Sequence, residues 1–271
     1  MTPKLINRKL LKADMKALLA DAQVCPKRMT ALYCILTLAV HLAVSFAPAE
    51  GIIGTFFSIL STLLSTVLGA GFVLYCMAVR RNERAEYLTL FDGFSFAGKL
   101  IAVSLLTSAF IALWSMLFVI PGIIAAYRYR FALYNLYDNP DIGVMQALDM
   151  SKKQTEGYKG QLFSLDLSYL GWEMLATIPS FVQSTLISIE MTSSMMSGSV
   201  QLPTDLSAYS AIPGWGWLLI SGIWVLAVSI FYLPVKTCTN LGYFEIAKET
   251  SGIRADSDEQ ANSSNGNSND F

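Results

Sequence analysis

The sequence predicts an all-α fold: a polytopic transmembrane helix bundle of about six helices, with an N-terminal interfacial helix and interfacial loop helices. Three observations predict it. Of 271 residues, 54% are hydrophobic and 14% are charged, whereas soluble domains carry roughly a quarter charged residues. The apolar residues gather into blocks at 29–48, 56–79, 99–137, 161–189 and 214–236, each long enough for the ~20 residues that cross a bilayer. The loops alternate in charge: 49–55 and 190–213 contain no Lys or Arg, whereas 80–98 carries Arg80, Arg81 and Arg84 and 138–160 carries Lys152, Lys153 and Lys159. Lys and Arg collect on the cytoplasmic side, so the alternation fixes which face is which.

Residues 1–28 carry Lys4, Arg8, Lys9, Lys12, Lys16, Lys27 and Arg28, and no small-residue cleavage site follows the first block. A retained first span, not a signal peptide, is expected. Leu11, Met15 and Leu18 share a helical face amid the lysines, as in a helix lying on anionic lipid or packing on the bundle. Residues 29–48 make the first span. Residues 56–79 make the second, stopped by Arg80 and Arg81. Gly54, Ser58, Thr62, Thr66 and Ala70, flanked by Ser61, Ser65 and Gly69, give it a small-residue face. Such spacing permits close helix contact, expected within the chain ahead of dimerisation. In 85–98, Tyr87, Phe91, Phe94 and Phe96 surround Asp92-Gly93, an aromatic density suited to the headgroup zone.

The block 99–137 is too long for one span. A single crossing would place Lys152, Lys153 and Lys159 outside and the cation-free stretch 190–213 inside, inverting the charge rule twice. A hairpin turning at Ile120-Pro121-Gly122 restores it. Proline presets the first turn of the second arm, and glycine tolerates tight geometry. The second arm, 123–137, is about 15 residues at ~1.5 Å each, so a partial or mismatched span is expected. Asp138-Asn139-Pro140 reads as a helix start, a cap followed by proline. Met145, Leu148 and Ser151 follow at helical spacing, and Gly157 and Gly160 end the helix. Spans at 161–189 and 214–236 complete the bundle, with both termini cytoplasmic. The chain thus divides into a cytoplasmic or interfacial helix (1–28), a transmembrane domain (29–247) and a polar tail (248–271) expected to be disordered.

The net charge is −1 and the cations flank the spans, which leaves no footprint for nucleic acid. Cys25, Cys34, Cys76 and Cys238 show no metal or disulfide spacing. There is no phosphate-cradling glycine loop, HExxH or GxSxG. No catalytic residue, metal or cofactor is expected. Ionisable residues inside spans are costly and are functional candidates by default: His41, Arg128, Arg130, Asp166 and Glu173. His41 has no second histidine, so a bond across helices is expected rather than a metal site. Asp166 and Glu173, two turns apart, share a face of an unbroken helix. Arg128 and Arg130 lie about 10–14 Å from the cytoplasmic end, Asp166 about 9 Å and Glu173 about 20 Å. An Arg–carboxylate pair across helices, or an ion or anionic-headgroup site built on these four residues, is the expectation.

Several short motifs recur in a fixed order. Leu113-Trp114 leads into Ile120-Pro121-Gly122-Ile123-Ile124 and Ala126-Tyr127-Arg128-Tyr129. Asp138-Asn139-Pro140, Ala147-Leu148-Asp149-Met150-Ser151, Gly157-Tyr158-Lys159 and Leu167-Ser168-Tyr169-Leu170-Gly171-Trp172 follow. Leu90-Phe91-Asp92-Gly93-Phe94 precedes them; Tyr232-Leu233-Pro234 and Gly242-Tyr243-Phe244-Glu245 come after. In order and spacing, up to Ala247, the chain resembles a bacterial integral-membrane family catalogued as domain of unknown function 975. The resemblance marks Asp92, Pro121, Gly122, Tyr127, Asp138, Pro140, Lys159, Gly171, Trp172 and Pro234 as structural motif positions. The chain departs from the family pattern at Ala125, Arg128, Arg130 and Glu173.

The resemblance implies a multi-pass protein of bacterial, mostly Gram-positive, cytoplasmic membranes with no assigned activity. It also implies a distant similarity to the membrane domain of some glycerophosphodiester phosphodiesterases. The first functional expectation is a non-enzymatic accessory, scaffold or envelope-homeostasis factor. The second is a small transporter or permease component using the Arg/Asp/Glu cluster, and a third, little supported, is an intramembrane lipid-modifying enzyme. The partners expected are the lipid bilayer, anionic lipids included, and a membrane protein; the oligomeric state stays open. A cavity lined by Asp166 and Glu173 would favour transport.

Overall fold

The computed structural model describes residues 4–47, 51–196 and 214–252. The tail beyond 252 and much of the cation-free stretch 190–213 lie outside them. The described residues form helices and turns without a strand. In chain order these are α1 Arg8–Ala20, α2 Pro26–Ser45, α3 Gly51–Arg80, a 3-10 helix Tyr87–Phe96, α4 Ala97–Leu117, α5 Val119–Arg128, α6 Ala132–Asp138, α7 Val144–Gln154, α8 Lys159–Leu167, α9 Leu170–Met196 and α10 Gly214–Ser251. Among the described residues, 4 segments are long and apolar enough to cross a membrane: Pro26–Ser45, Gly51–Arg80, Tyr87–Leu117 and Trp215–Ser251. Two compact units emerge: the described parts of Met1–Asp14, Ser95–Leu165 and Cys238–Phe271, and those of Met15–Phe94 and Asp166–Thr237.

In the first unit the long block doubles back. Phe96 meets Tyr137 with ring centroids 6.2 Å apart, Phe110 stacks on Tyr129 at 5.6 Å, and Lys99 Nζ donates to the Pro140 carbonyl at 2.6 Å. The residue numbers of these pairs sum to nearly the same value, the register of an antiparallel hairpin. The turn falls at Phe118, which is extended (φ −159°, ψ 149°), three residues earlier than expected. Pro121 therefore sits in the first turn of α5, where its missing N–H costs nothing. Gly122 is needed for closure: a Cβ there would come within 2.9 Å of Ser115 Cα on α4.

The returning arm is broken between α5 and α6. The Arg128 carbonyl accepts from Ser151 Oγ (2.8 Å) and Thr155 Oγ1 (3.3 Å), and the Phe131 N–H donates to Ser151 Oγ (3.1 Å). Asn135 and Gln154 exchange two amide hydrogen bonds, both 2.9 Å. All four polar side chains come from buried residues. Non-helical backbone persists in a low-dielectric setting only where protein groups satisfy it, and α7 supplies them. That helix starts at Val144 after Gly143, so Asp138-Asn139-Pro140 is not its cap. Asp138 ends α6 instead and forms an ion pair with Lys248. Gly157 (φ 79°) turns the chain after α7.

The helix α10 runs 38 residues, about 57 Å at ~1.5 Å per residue, and continues well past the expected end at Lys236. Its residues from Cys238 belong to the first unit, where Leu241, Tyr243, Phe244 and Ala247 are buried. Phe244 sets its ring edge-on to Phe131 (5.5 Å) and Tyr134 (5.7 Å). The N-terminal strap is held on α8: Gln161 accepts from the Ile6 N–H (3.1 Å) and donates to the Lys4 carbonyl (3.2 Å).

In the second unit, α2 and α3 pack antiparallel, with Tyr33 stacked on Phe72 at 5.2 Å. Asn82 (φ 55°) ends the chain's run through α3 just after Arg80 and Arg81. Met15 and Leu19 of α1 are buried in the protein. The close approach expected of α3 occurs at Ala70-Gly71 rather than through Thr62 and Thr66: Gly71 touches the backbone of Leu90 in the 3-10 helix, and Gly93 approaches the Val67 carbonyl. The block 161–189 is not one helix. Ser168 and Tyr169 break it between α8 and α9, and the Tyr169 N–H returns to the Asp166 carbonyl at 2.9 Å. The unbroken helix on which the shared face of Asp166 and Glu173 was argued is therefore absent.

Candidate functional site

The four charged residues expected to form one cluster are assigned to two units. Arg128 and Arg130 belong to the first, Asp166 and Glu173 to the second. Arg130 Nη2 donates to Asn240 Oδ1 at 3.0 Å, and its guanidinium lies 5.5 Å from the Tyr127 ring centroid. Its charge thus tethers α10 to the broken arm, with a cation–π contribution from Tyr127. Glu173, in the first turn of α9, takes an ion pair from Lys236 of α10. A carboxylate there also complements the helix dipole. Lys236 escaped the sequence reading because it was taken as the end of a span; the continuing helix keeps it on the α9 side, with Trp172 stacked on Tyr232 at 6.1 Å and Trp224 Nε1 donating to the Leu175 carbonyl at 2.8 Å. Among the described residues no three His, Cys, Asp or Glu converge to hold a metal ion.

The second unit contains a cleft of about 740 Å³ walled by α2, α3, α9 and α10. Thr37 and Ser45 of α2 and Ser58, Ser61 and Ser65 of α3 contribute hydroxyls. Ser180 of α9 and Ser221 and Ser229 of α10 add more. His41 also lines it, with Nε2 at 3.5 Å from Ser65 Oγ, a long contact across the two helices. Leu38, Val44, Phe57 and Val225 supply apolar wall. No Asp, Glu, Lys or Arg is among the described residues lining it. Gly54 and Ser58, read in the sequence as part of a packing face, and Ser61 and Ser65, read as flanking it, line the cleft. Their small side chains were legible; that a cleft lies beside them was not. A site of this kind has no charge to polarise a bond and no base beside a nucleophile other than the single imidazole. What it offers is shape and neutral polar contacts, the attributes of a binding site.

No curated protein and no solved structure matches the chain. The family model described as "Protein of unknown function (DUF975)" matches residues 116–250, a segment that contains α9 and α10 of the cleft, with α2 and α3 preceding it. That segment, running from the end of α4 into the last turn of α10, carries the chain's match to this family of unknown function.

Proposed function

We propose that this is a six-span protein of the bacterial cell membrane, with both termini cytoplasmic. On this reading it works without chemistry of its own, as an accessory or envelope-homeostasis factor that holds a membrane-borne small molecule in the hydroxyl-lined cleft. The six spans are α2, α3, α4, the α5–α6 arm, α9 and α10. The observation that carries the binding reading is the cleft itself: about 740 Å³, within the roughly 300–1,000 Å³ of small-molecule sites, with a lining both polar and uncharged. Transport of an ion on the carboxylates has less support, because neither Asp166 nor Glu173 is among the lining residues and Glu173 has Lys236 beside it.

The cleft is tested by native mass spectrometry of the full chain released from native-membrane nanodiscs. A bound small molecule or lipid is expected, and Ser58→Trp, which fills the cleft from an exposed position, is expected to lose it. Equal adducts on both proteins would remove the cleft as the site.

The orientation has a test that needs no substitution. Cys25 is exposed at the start of α2, whereas Cys34, Cys76 and Cys238 are buried. The backbone N–H groups of Arg28 and then Lys27 favour its thiolate and hold the thiol pKa below its ordinary value. Alkylation of Cys25 is therefore expected to rise with pH at a midpoint below that of a free cysteine. A membrane-impermeant maleimide should modify it only after the cells are permeabilised. Labelling of Cys25 in intact cells would reverse the orientation.

A further inference from the structure

We infer that the cleft selects its occupant by the hydrogen-bond donors of an uncharged headgroup, so that a single-chain neutral amphiphile such as a monoacylglycerol is the class of ligand it takes. This deepens the binding reading above and rests on it. The selection follows from where the protons of four of the lining hydroxyls point, those of Thr37, Ser45, Ser61 and Ser221. Thr37 Oγ1 donates to the Tyr33 carbonyl (3.0 Å) and Ser45 Oγ to the Leu42 carbonyl (2.7 Å). Ser61 Oγ donates to the Ser58 carbonyl (2.9 Å) and Ser221 Oγ to the Leu218 carbonyl (3.1 Å). A carbonyl oxygen can only accept, so each of these hydroxyls has turned its one proton back onto its own helix. Each oxygen keeps lone pairs for the cleft. These hydroxyls, drawn from α2, α3 and α10, present acceptors.

Charge then narrows the class. With no Lys or Arg among the described lining residues, a carboxylate or phosphate would be desolvated without a partner. With no Asp or Glu there, an ammonium would lack a counter-charge in a low-dielectric setting. What remains is a neutral group bearing O–H or N–H donors. The apolar wall of Leu38, Val44, Phe57 and Val225 gives such a group's acyl chain a surface to lie on. The lining residues fall from Tyr33 to the C-terminal end of α2, and in the halves of α3 and α10 nearest their N-terminal ends. Most of the lining lies toward the ends of these helices away from Lys27, Arg28, Arg80 and Arg81. In the orientation proposed above it faces the outer leaflet, from which a membrane-borne amphiphile can enter.

The test is equilibrium binding of three labelled probes to the full chain in nanodiscs: a long-chain monoacylglycerol, the methyl ester of the same acid, which has no donor, and the free fatty acid. The monoacylglycerol is expected to bind at least about tenfold tighter than either, the scale of one or two neutral hydrogen bonds. Thr37→Val, which keeps the side-chain shape, and the combined Thr37→Val/Ser61→Ala/Ser221→Ala variant are expected to erode that preference stepwise while leaving methyl-ester binding unchanged. Their melting curves verify folding. Monoacylglycerol binding that is absent, no tighter than the ester's, or unaltered in both variants overturns donor selection. If Ser58→Trp still strips an adduct in that event, the cleft remains a binding site and only its chemistry was misassigned. If Ser58→Trp strips nothing, the binding reading falls as well.

Discussion

Gly71→Ala is expected to destabilise the protein by about 3 kcal/mol or more, while Gly69→Ala, two residues away on the same helix, is expected to stabilise it by up to about 1 kcal/mol. The contrast is one of space. A Cβ on Gly71 would lie 2.8 Å from Leu90 Cα and closer still to its carbonyl. The obstacle is backbone, so no rotamer change relieves it, and Leu90 is fully buried. On the opposing side, a Cβ on Gly93 would meet the Val67 carbonyl oxygen at 2.7 Å. The 3-10 helix and α3 therefore touch through two glycines, and widening that contact displaces the aromatic segment Tyr87–Phe96 as a body. At Gly69 the nearest atom to an added Cβ is the Tyr33 hydroxyl at 3.7 Å, an ordinary contact, so only the helix-propensity gain remains. SDS-driven unfolding in mixed micelles, followed by tryptophan fluorescence, measures both. A Gly71→Ala protein that unfolds with the wild type, or a Gly69→Ala protein that falls with Gly71→Ala, would sink the close-approach account.

What could be read in the sequence divides along physical lines. Charge asymmetry reports which side of a membrane a loop occupies, so the doubling back of 99–137 was legible from Lys152, Lys153 and Lys159 together with the cation-free stretch 190–213. Charge carries no register, and the turn was therefore placed at Pro121-Gly122 when it falls at Phe118. Interruptions were harder. The breaks at Tyr129–Phe131 and Ser168–Tyr169 have no proline or glycine at the break itself. The first is made affordable by Ser151 and Thr155, 20 or more positions away, which no local window senses. The second removed the unbroken helix from which the common face of Asp166 and Glu173 was argued. The candidate site shows the same limit. The residue types at Gly54, Ser58, Ser61 and Ser65 were visible, but whether small side chains admit a neighbouring helix or leave a cleft depends on residues of three other helices. Asp92, Tyr127, Gly171 and Pro234 were likewise noted as motif positions; only the fold shows Tyr127 lying under Arg130.

The broken arm makes a second large effect. Asn135→Leu is expected to cost about 2–3 kcal/mol, because it strands the Gln154 amide, a residue only 1% exposed, with neither its donor nor its acceptor satisfied. Gln154→Met is expected to cost a similar amount by stranding Asn135, although the Asn135 amide retains a weak bond to the Ala147 carbonyl at 3.4 Å. The combined Asn135→Leu/Gln154→Met protein removes both amides and refills their volume with apolar groups. It is expected to lie within about 1 kcal/mol of the wild type, giving a coupling of several kcal/mol in a double-mutant cycle. The asymmetry arises because a buried reciprocal amide pair contributes little net energy against water, whereas half of one carries the full desolvation penalty. Ser151 cannot be rescued in this way, since its partners are the Arg128 carbonyl and the Phe131 N–H, backbone groups that no substitution deletes. Ser151→Ala should thus stay destabilised whatever accompanies it at side-chain positions. Additive costs for Asn135→Leu and Gln154→Met would mean that the two amides do not act as one unit, and that the joint between α5 and α6 is held by Ser151 and Thr155 alone.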